Sequence, residues 1–294
     1  MKELPSGLAA HLLRETTTLA TAWRITRTDG VVLGFTDHDR VLEFDGTRFD
    51  PASGFTGTER PARAGGEAAT AEVLGVITAD AIRDTDIDMG RYDGARVETF
   101  RVNWQNPAER VLLSTARIGA IIREDGRFRA ELRSPAAALK SPSGRVYAAL
   151  CDAALGDARC GVSLAARRQN VTVGVVNDRN RLTLTGLSGA APERFIWGEA
   201  RWVSGARTGF LDRITGIETR AGLTIAGFQA AVGDFARAGD RLELTEGCDQ
   251  RFLTCRDVFS NSANFRGFPH VPGTDFVLRL PKSGDVLDGT PLVG

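Results

Sequence analysis

The four cysteines of this 294-residue chain fall into two close pairs, and this arrangement constrains the fold more than any other feature of the sequence. Eight residues separate Cys151 from Cys160, and six separate Cys248 from Cys255. A long stretch of strand-like sequence lies between the two pairs. If all four thiols serve one site, the fold must bring the two ends of that stretch together.

The cysteine spacing favours some uses of the four thiols over others. Structural zinc is typically held by cysteines about two to four residues apart on a tight knuckle, and both intervals here are wider. Iron–sulfur clusters also take four thiolates and tolerate more varied spacing. Spacing therefore favours a cluster but leaves zinc, disulfides or four unrelated buried cysteines open. Gly156, Gly161 and Gly247 are expected to let backbone N–H groups approach the sulfurs.

Composition excludes several classes of protein. Hydrophobic residues make up 42% and charged residues 25% of the chain, as in ordinary soluble domains. The 37 basic and 37 acidic residues cancel, so no overall field favours nucleic acid or an anionic membrane. No apolar run approaches the roughly 18–20 residues of a membrane span, and the N-terminus lacks the pattern of a secretory signal. We therefore expect folding in a reducing cytoplasm, where metal or cluster ligation is a better use of four cysteines than disulfides.

Hydrophobic periodicity predicts a mainly β fold. A helix is expected over residues 6–22, with Ser6 as its cap. Short alternating runs separated by Asp-Gly turns then predict antiparallel strands through residues 20–133, which is typical of a barrel or sandwich. A second set of strands is predicted over residues 170–246, with one cysteine pair at each end. Short helices are expected at residues 78–83 and 135–140.

Three other motifs suggest sites. His270 lies in the rigid segment Asn264–Gly273 and could ligate a metal, although a histidine that only hydrogen-bonds within the loop is the simpler interpretation. Thr36–Arg40 offers His38 beside two aspartates, but polar residues between two predicted strands favour a turn. Asp84–Asp88 lacks the glycine and distal glutamate of a calcium loop, so a solvated turn is favoured. Because no nucleotide-binding or hydrolase motif is present, the sequence predicts a protein that is not an enzyme.

The cysteine segments resemble a known family. Cys151–Val162 and Gly247–Gly273, with Phe268-Pro269-His270 near their end, are similar to the tail-hub (baseplate hub) protein of alphaproteobacterial gene transfer agents and related siphophages and prophages. Thr36–Asp39 and the strands around it extend this resemblance over most of the chain. A more distant likeness is to the iron–sulfur tail tip protein L of lambda-like phages, whose C-terminal domain holds a cluster on two pairs of cysteines.

The resemblance implies a site, a fold and partners. The cluster ligands would be Cys151, Cys160, Cys248 and Cys255, holding a [4Fe–4S] cluster, although [2Fe–2S] also takes four thiolates. The implied fold is mainly β, with barrel or sandwich hub domains followed by a β-rich iron–sulfur domain with short helices. The domain boundaries are then a tail-hub region at 1–140, with room for two subdomains, an iron–sulfur-binding domain at 141–278 and an extended tail at 279–294.

The implied function is structural. We expect a homotrimeric ring at the tail tip of a virion assembled in the bacterial cytoplasm. The ring would join the distal tail protein to a receptor-facing, megatron-like baseplate or tip protein, and DNA would touch it only in passing through the channel. Such a channel should be polar or acidic, because a basic lining would grip phosphates. The alternatives are a metal- or iron–sulfur-dependent enzyme with His38 or His270 near the metal, and a zinc-stapled cell-surface-binding module.

Overall fold

The computed structural model divides the chain into two compact units, Met1–Ser143 and Gly144–Gly294. It describes residues 3–51, 55–57, 70–75, 82–124, 127–136, 144–189 and 191–271. The predicted helices at 78–83 and 135–140 and the tail at 279–294 lie wholly or largely outside these residues. The mainly β class predicted from the sequence is confirmed in both units.

The first unit contains one large mixed sheet. Its nine strands are hydrogen-bonded in the order β3-β4-β2-β1-β7-β8-β9-β6-β5. Only the β2–β4 pairing in this sheet is parallel, among the residues that the structure describes. The strands are β1 Leu19–Thr26, β2 Val32–Thr36, β3 Leu42–Phe44, β4 Thr47–Pro51, β5 Phe55–Gly57, β6 Thr70–Gly75, β7 Arg96–Asn103, β8 Arg110–Glu124 and β9 Arg127–Arg133. Two short helices accompany them, α1 Ser6–Leu12 and α2 Asp84–Asp88.

Strand β1 is buried on both faces because the sheet has a core on each side. Ala20 and Ala22 pack with the buried phenylalanines Phe44, Phe49 and Phe100. Trp23 and Ile25 point to the opposite face, as strand alternation requires. There they pack with Phe35, Ile82, Tyr92, Ala95, Val97, Ala116, Ile118 and Leu132.

The second unit is built on a closed six-stranded barrel, hydrogen-bonded in the order β10-β11-β14-β13-β12-β15. The strands are β10 Arg168–Val176, β11 Arg181–Thr185, β12 Glu199–Trp202, β13 Leu211–Arg220, β14 Leu223–Phe228 and β15 Arg241–Thr245. Pairing of β10 with β15, for example Val171 opposite Leu242, closes the barrel. Its interior is filled by buried side chains that include Leu182, Phe195, Trp202, Ile214 and Leu244.

The cysteines lie outside the barrel strands, at the two ends of the barrel sequence. Cys151 and Cys160 precede β10 on a segment without helix or strand. Cys248 follows β15, and Cys255 lies on the short helix α3, Phe252–Asp257. The pairing of β10 with β15 brings the two ends of the barrel sequence side by side. Within the described residues, no helix is long and apolar enough to cross a membrane.

Several predicted elements were wrong in detail. The helix expected over 6–22 ends at Leu12 and strand β1 begins at Leu19. Ser6 is its first helical residue, and the cap position belongs to Pro5, without a side-chain hydrogen bond. One long strand, β8, occupies Arg110–Glu124, with a register shift between Ile118 and Ile121 in its pairing with β9. Asp84–Asp88 forms helix α2 and not a turn.

Candidate metal centre

All four cysteines line one small cavity of about 20 Å³ in the second unit. Cys255 is buried and the other three are half-buried, and all four are free thiols. The remaining lining is largely apolar and comes from Ala153, Leu155, Val162, Gln250, Phe259, Asn261, Asn264 and Phe265. The fold therefore brings the two cysteine pairs together, as a single four-thiol site requires.

Asp157 shapes the loop that presents Cys160. Its carboxylate accepts hydrogen bonds from the backbone N–H groups of Cys160 at 2.7 Å, Arg159 at 2.9 Å and Ala154 at 3.1 Å. These bonds, that of Cys160 first, hold the pKa of Asp157 below its ordinary value despite some desolvation. A short polar side chain that bonds to nearby backbone in this way stabilises a turn without helix or strand.

The second cysteine segment is shaped by a residue in the left-handed conformation. Gln250 has φ of +63°, which few non-glycine residues adopt. Its backbone N–H donates to the Cys248 sulfur at 3.3 Å. Helix α3 begins two residues later and places Cys255 toward the cavity. The chain thereby turns from one cysteine to the other within eight residues, Cys248 to Cys255.

Backbone and side-chain bonds join the two cysteine segments directly. The Cys151 N–H donates to the Gln250 carbonyl at 2.9 Å, and the Arg266 N–H donates to the Cys151 sulfur at 3.4 Å. The Asn261 side-chain amide donates to the Cys160 carbonyl at 2.7 Å. Since these partners are far apart in sequence, the site depends on the tertiary fold and not on a local motif.

Outside the cavity, an arginine network fixes the first segment. The Asp152 carboxylate binds the guanidinium groups of Arg145 at 2.8 Å and Arg159 at 3.0 Å. These cations, Arg145 first, lower the pKa of Asp152. Arg145 also donates to the carbonyl of Arg266, beside the N–H that reaches Cys151. The ion pairs are solvent-exposed, so each stabilises the fold only weakly. Together with the bond to Arg266, they link the segment that carries the first cysteine pair to the chain after the second pair.

The glycines act differently from the prediction. A Cβ at Gly247 would lie 1.9 Å from the Ile196 carbonyl oxygen, so this glycine allows close contact between two backbones and not an approach to sulfur. A Cβ at Gly156 would meet the Leu164 side chain at 2.6 Å. Among the described residues, the backbone N–H groups that do reach sulfur belong to Gln250 and Arg266.

Burial and mutual repulsion disfavour the thiolate forms of two of the cysteines. Burial raises the pKa of Cys248 and of Cys255, and the neighbouring cysteines raise both further. Four thiolates around one poorly solvated cavity are therefore stable only if bound cations offset their charge. As they stand, the described residues contain no group of three or more His, Cys, Asp or Glu side chains close enough to hold one metal ion.

The donor set fits a cofactor held by thiolates. Four cysteines share one cavity, and backbone N–H groups lie within hydrogen-bonding distance of two of the sulfurs, as expected around iron–sulfur clusters. The Cys255 thiol donates to the Asn261 carbonyl at 3.3 Å, a bond that ligation would replace. The cavity has room for about one water molecule. A cluster would therefore fit only if the cysteine side chains adopted rotamers that point away from the centre of the cavity.

The other predicted site residues lie elsewhere. His270 is exposed and is not part of the cavity lining; the Phe268 ring packs on Tyr147 instead, with centroids 4.4 Å apart. His38 belongs to the first unit, where it stacks on Trp104 with centroids 4.7 Å apart. Its segment connects β2 to β3, so the prediction of a turn is confirmed. Asp86 in α2 pairs with Arg27 at 3.2 Å and with Arg91 at 3.3 Å.

The polar residues that organise the site were not predicted from the sequence. Asn261 and Asn264 both line the cavity and hydrogen-bond to each other. Gln250 and Arg266 contribute backbone groups, so the identity of their side chains gave no signal. In the sequence, the only signal from Asn261 and Asn264 is that two amide side chains stand three residues apart, shortly after Cys255. Only the fold reveals that Asn261 reaches Cys160 in the first pair.

Comparison with known families assigns the chain. Residues 5–163 match the family described as "Baseplate hub protein, N-terminal attachment domain", which is more than half of the chain. The chain belongs to the baseplate hub protein family. The resemblance seen in the cysteine and Phe-Pro-His segments is confirmed. Residues 193–275 of the hub protein also match the family "Phage conserved hypothetical protein BR0599", so each match contains one of the two cysteine pairs.

A solved structure supports the same family. The hub protein is 39% identical to a chain of the "Virion of native gene transfer agent (GTA) particle", with a TM-score of 0.87. The alignment covers 97% of this chain and 99% of that chain. Bacillus subtilis inhibitor of motility (MotI/DgrA) aligns over 74% of this chain and 91% of its own at 10% identity, with a TM-score of 0.17, which is too low to carry any inference. Comparison with curated proteins found no match.

Proposed function

We propose that this baseplate hub protein is a structural component of a phage or gene transfer agent virion, forming a homotrimeric ring at the distal end of the tail. The observation that carries the proposal is the 39% identity over nearly the whole chain to a protein of a gene transfer agent virion. The ring would link the distal tail protein to a receptor-facing baseplate or tip protein. It would surround the channel through which DNA is ejected.

The two parts of the chain would have separate roles. The family that matches residues 5–163 is described as an attachment domain, so we assign residues 1–140 to contact with the neighbouring tail ring. Residues 141–278 would form the iron–sulfur domain and residues 279–294 an extended tail. A net charge of zero is compatible with a channel through which DNA slides without binding tightly.

We further propose that Cys151, Cys160, Cys248 and Cys255 hold an iron–sulfur cluster of the [4Fe–4S] type. Three features support it: four free thiols on one cavity, N–H donors to two sulfurs and an apolar lining. The thiols surround a space without meeting at one point. That arrangement suits a cluster, which is bound at its corners, better than a single zinc ion, whose ligands all lie about 2.3 Å from one centre.

The cluster's role would be to fasten the fold. It would tie the segment before β10 to the segment after β15, and structural metal sites of this kind contribute directly to folding free energy. We propose no catalytic role, because neither His38 nor His270 lines the cavity. The described lining offers cysteines, two asparagines, one glutamine and apolar side chains, and it includes no histidine or carboxylate that could act as a general acid or base.

Metal analysis of anaerobically purified protein tests the cluster. We expect brown protein containing about four iron and four sulfide per chain, the composition of a [4Fe–4S] cluster. Two iron and two sulfide would indicate [2Fe–2S] instead. A colourless protein with stoichiometric zinc would overturn the cluster proposal and favour a zinc-stapled module.

The Cys255→Ser variant tests whether the site is a fastener. We expect particles that lack the hub, because loss of one ligand weakens the second unit before assembly. Leu253→Ser is the matched control, since it introduces the same residue on the same helix at a side chain that is 60% exposed. Normal assembly by Cys255→Ser with loss of another activity would favour the enzyme alternative.

Imaging of an assembled tail tests the ring. Density for three copies around the tail axis at its distal end is the expected result. A different copy number or a position away from the tail tip would overturn the trimeric hub.

A further inference from the structure

Asn261 contacts both cysteine pairs at once. Its backbone N–H donates to the Cys255 carbonyl at 3.0 Å, and its own carbonyl accepts from the Cys255 thiol at 3.3 Å. Its side-chain Nδ2 donates to the Cys160 carbonyl at 2.7 Å and lies 3.7 Å from the Cys160 sulfur. One residue therefore fixes the positions of two thiols that belong to distant parts of the sequence.

Asn264 fixes the orientation of that amide. Its Nδ2 donates to the Asn261 Oδ1 at 2.8 Å, so the oxygen end of the Asn261 amide already has a partner. The nitrogen end must then face Cys160, where both the carbonyl and the sulfur can accept. A flipped amide would place an oxygen against the Cys160 carbonyl and leave two acceptors facing each other.

We propose that Asn261 is a positioning residue for the thiolate-bound cofactor, acting as a hydrogen-bond donor beside Cys160, with Asn264 orienting it. The proposal rests on the iron–sulfur function proposed above. Partners that orient a metal ligand typically contribute roughly 10–100-fold to metal affinity. An N–H group beside a ligating sulfur also stabilises the more negative, reduced state of a cluster and so raises its reduction potential.

A purely structural asparagine would behave differently. Asn180, in the same unit, donates its Nδ2 to the carbonyls of Ala230 at 2.9 Å and Phe228 at 3.3 Å. It contacts backbone as Asn261 does, but it is not part of the cavity lining. Asn180→Ala is therefore the matched control for the loss of an amide-to-carbonyl hydrogen bond.

The test compares wild type, Asn261→Ala, Asn264→Ala and Asn180→Ala as full chains reconstituted with iron and sulfide. Readouts are iron and sulfide content, the rate of iron loss to a chelator, the reduction potential and the circular dichroism spectrum. We expect Asn261→Ala to lose iron about 10–100 times faster than wild type and to have a lower potential. Asn264→Ala should also speed iron loss and lower the reduction potential, but by less than Asn261→Ala. Asn180→Ala should change neither the rate of iron loss nor the potential.

The outcomes separate the two proposals. If wild type holds iron and sulfide and Asn261→Ala matches it in iron loss and potential, the positioning role is wrong while the cluster stands. If wild type holds neither, the cluster proposal fails and the role of Asn261 fails with it. If Asn261→Ala does not fold, Asn264→Ala decides, because the Asn264 amide donates to Asn261 and leaves the bonds between Asn261 and the cysteines in place. An unchanged reduction potential and rate of iron loss in Asn264→Ala would then overturn the inference.

Discussion

The backbone N–H of Cys151 donates a 2.9 Å hydrogen bond to the carbonyl of Gln250. The N–H of the same Gln250 donates to the Cys248 sulfur at 3.3 Å, so one peptide segment serves both cysteine pairs. This depends on the left-handed backbone of Gln250, with φ of +63°. These backbone bonds help to align the two cysteine segments, and a cofactor would bind to thiols already gathered around one cavity.

Substitution of Gln250 tests this backbone conformation. Gln250→Val should destabilise the second unit and speed loss of any bound iron, because a β-branched residue at positive φ costs roughly 1–2 kcal/mol or more. Gln250→Gly is the control, since glycine adopts this conformation freely and keeps both backbone bonds. Denaturant unfolding of both variants is the measurement. An equal loss of unfolding free energy in both variants would show that the glutamine side chain matters and the backbone conformation does not.

Gly247→Ala should be among the most damaging small substitutions in the chain. The new Cβ would lie 1.9 Å from the Ile196 carbonyl oxygen and 2.3 Å from the Gly198 nitrogen. Both are backbone atoms, so relief requires movement of a whole segment, and overpacking of this kind costs about 1–3 kcal/mol or more.

Gly216→Ala in β13 is the matched control for that substitution. A Cβ there would meet nothing within 4 Å, so the unfolding free energy should change little. The two variants are compared by urea denaturation. A Gly247→Ala protein as stable as the Gly216→Ala protein would contradict the packing argument.

Several strands could be predicted from sequence because apolar and polar side chains alternate along them. Arg96–Val102 shows this alternation, and the structure has a strand over Arg96–Asn103. Leu19, in contrast, fits the helical spacing of Leu8 and Leu12, yet it begins β1 because it pairs with Asn103 on β7. Tertiary pairing overrode the local pattern there.

Of the candidate site, only the grouping of the four cysteines could be predicted from the sequence. Two pairs of cysteines around a β segment indicated that the ends of that segment meet. The sequence could not show how, because closure of the barrel depends on pairing between Val171 and Leu242, which no local pattern specifies. For the same reason the contacts of Asn261 with Cys160, and of Gly247 with Ile196, were not foreseen.

His270→Ala distinguishes a structural cluster from an enzyme that uses this histidine. His270 is exposed and does not line the cavity, so we expect unchanged iron and sulfide content and an unchanged absorption spectrum. Cys160→Ser, measured in parallel, should lose the cofactor. Loss of iron in His270→Ala would mean that the histidine is a ligand and would reopen the enzyme alternative.

Asp212→Asn should strongly destabilise the barrel. The Asp212 carboxylate is 6% exposed, binds the Arg207 guanidinium at 2.8 Å and accepts from the Trp202 indole N–H at 2.7 Å. Asparagine keeps an acceptor for Trp202 but leaves a buried cation unpaired, and breaking such a pair costs about 3–5 kcal/mol.

An exposed ion pair provides the contrast for Asp212. Arg256 and Asp257 pair at 2.7 Å with 54% and 57% of their side chains exposed, so Asp257→Asn should lower the unfolding free energy far less than Asp212→Asn does. Thermal and denaturant unfolding of the two variants give the comparison. Similar losses in both would show that burial does not set the strength of the Arg207–Asp212 pair.

The loop that carries Cys160 should loosen at acid pH because Asp157 must be ionised to hold it. Three backbone N–H groups, that of Cys160 foremost, lower the pKa of Asp157 below 3.8. The unfolded loop therefore takes up a proton at higher pH than the folded loop does. The stabilisation is fully present above the ordinary pKa and is lost as pH falls through the lowered one.

Hydrogen exchange of the Cys160 amide in the cofactor-free protein measures this loss. After correction for the intrinsic pH dependence, we expect protection in wild type to fall over the acid range below the ordinary pKa of aspartate, as pH passes through the lowered pKa of Asp157. Asp157→Asn should show weak protection at every pH in that range, because one amide oxygen replaces two charged acceptors. The Val173 amide, whose N–H is bonded to the Asp240 carbonyl inside the barrel, is the internal reference. Parallel loss of protection at Val173 would mean that the whole unit unfolds in acid, and the local role of Asp157 would be wrong.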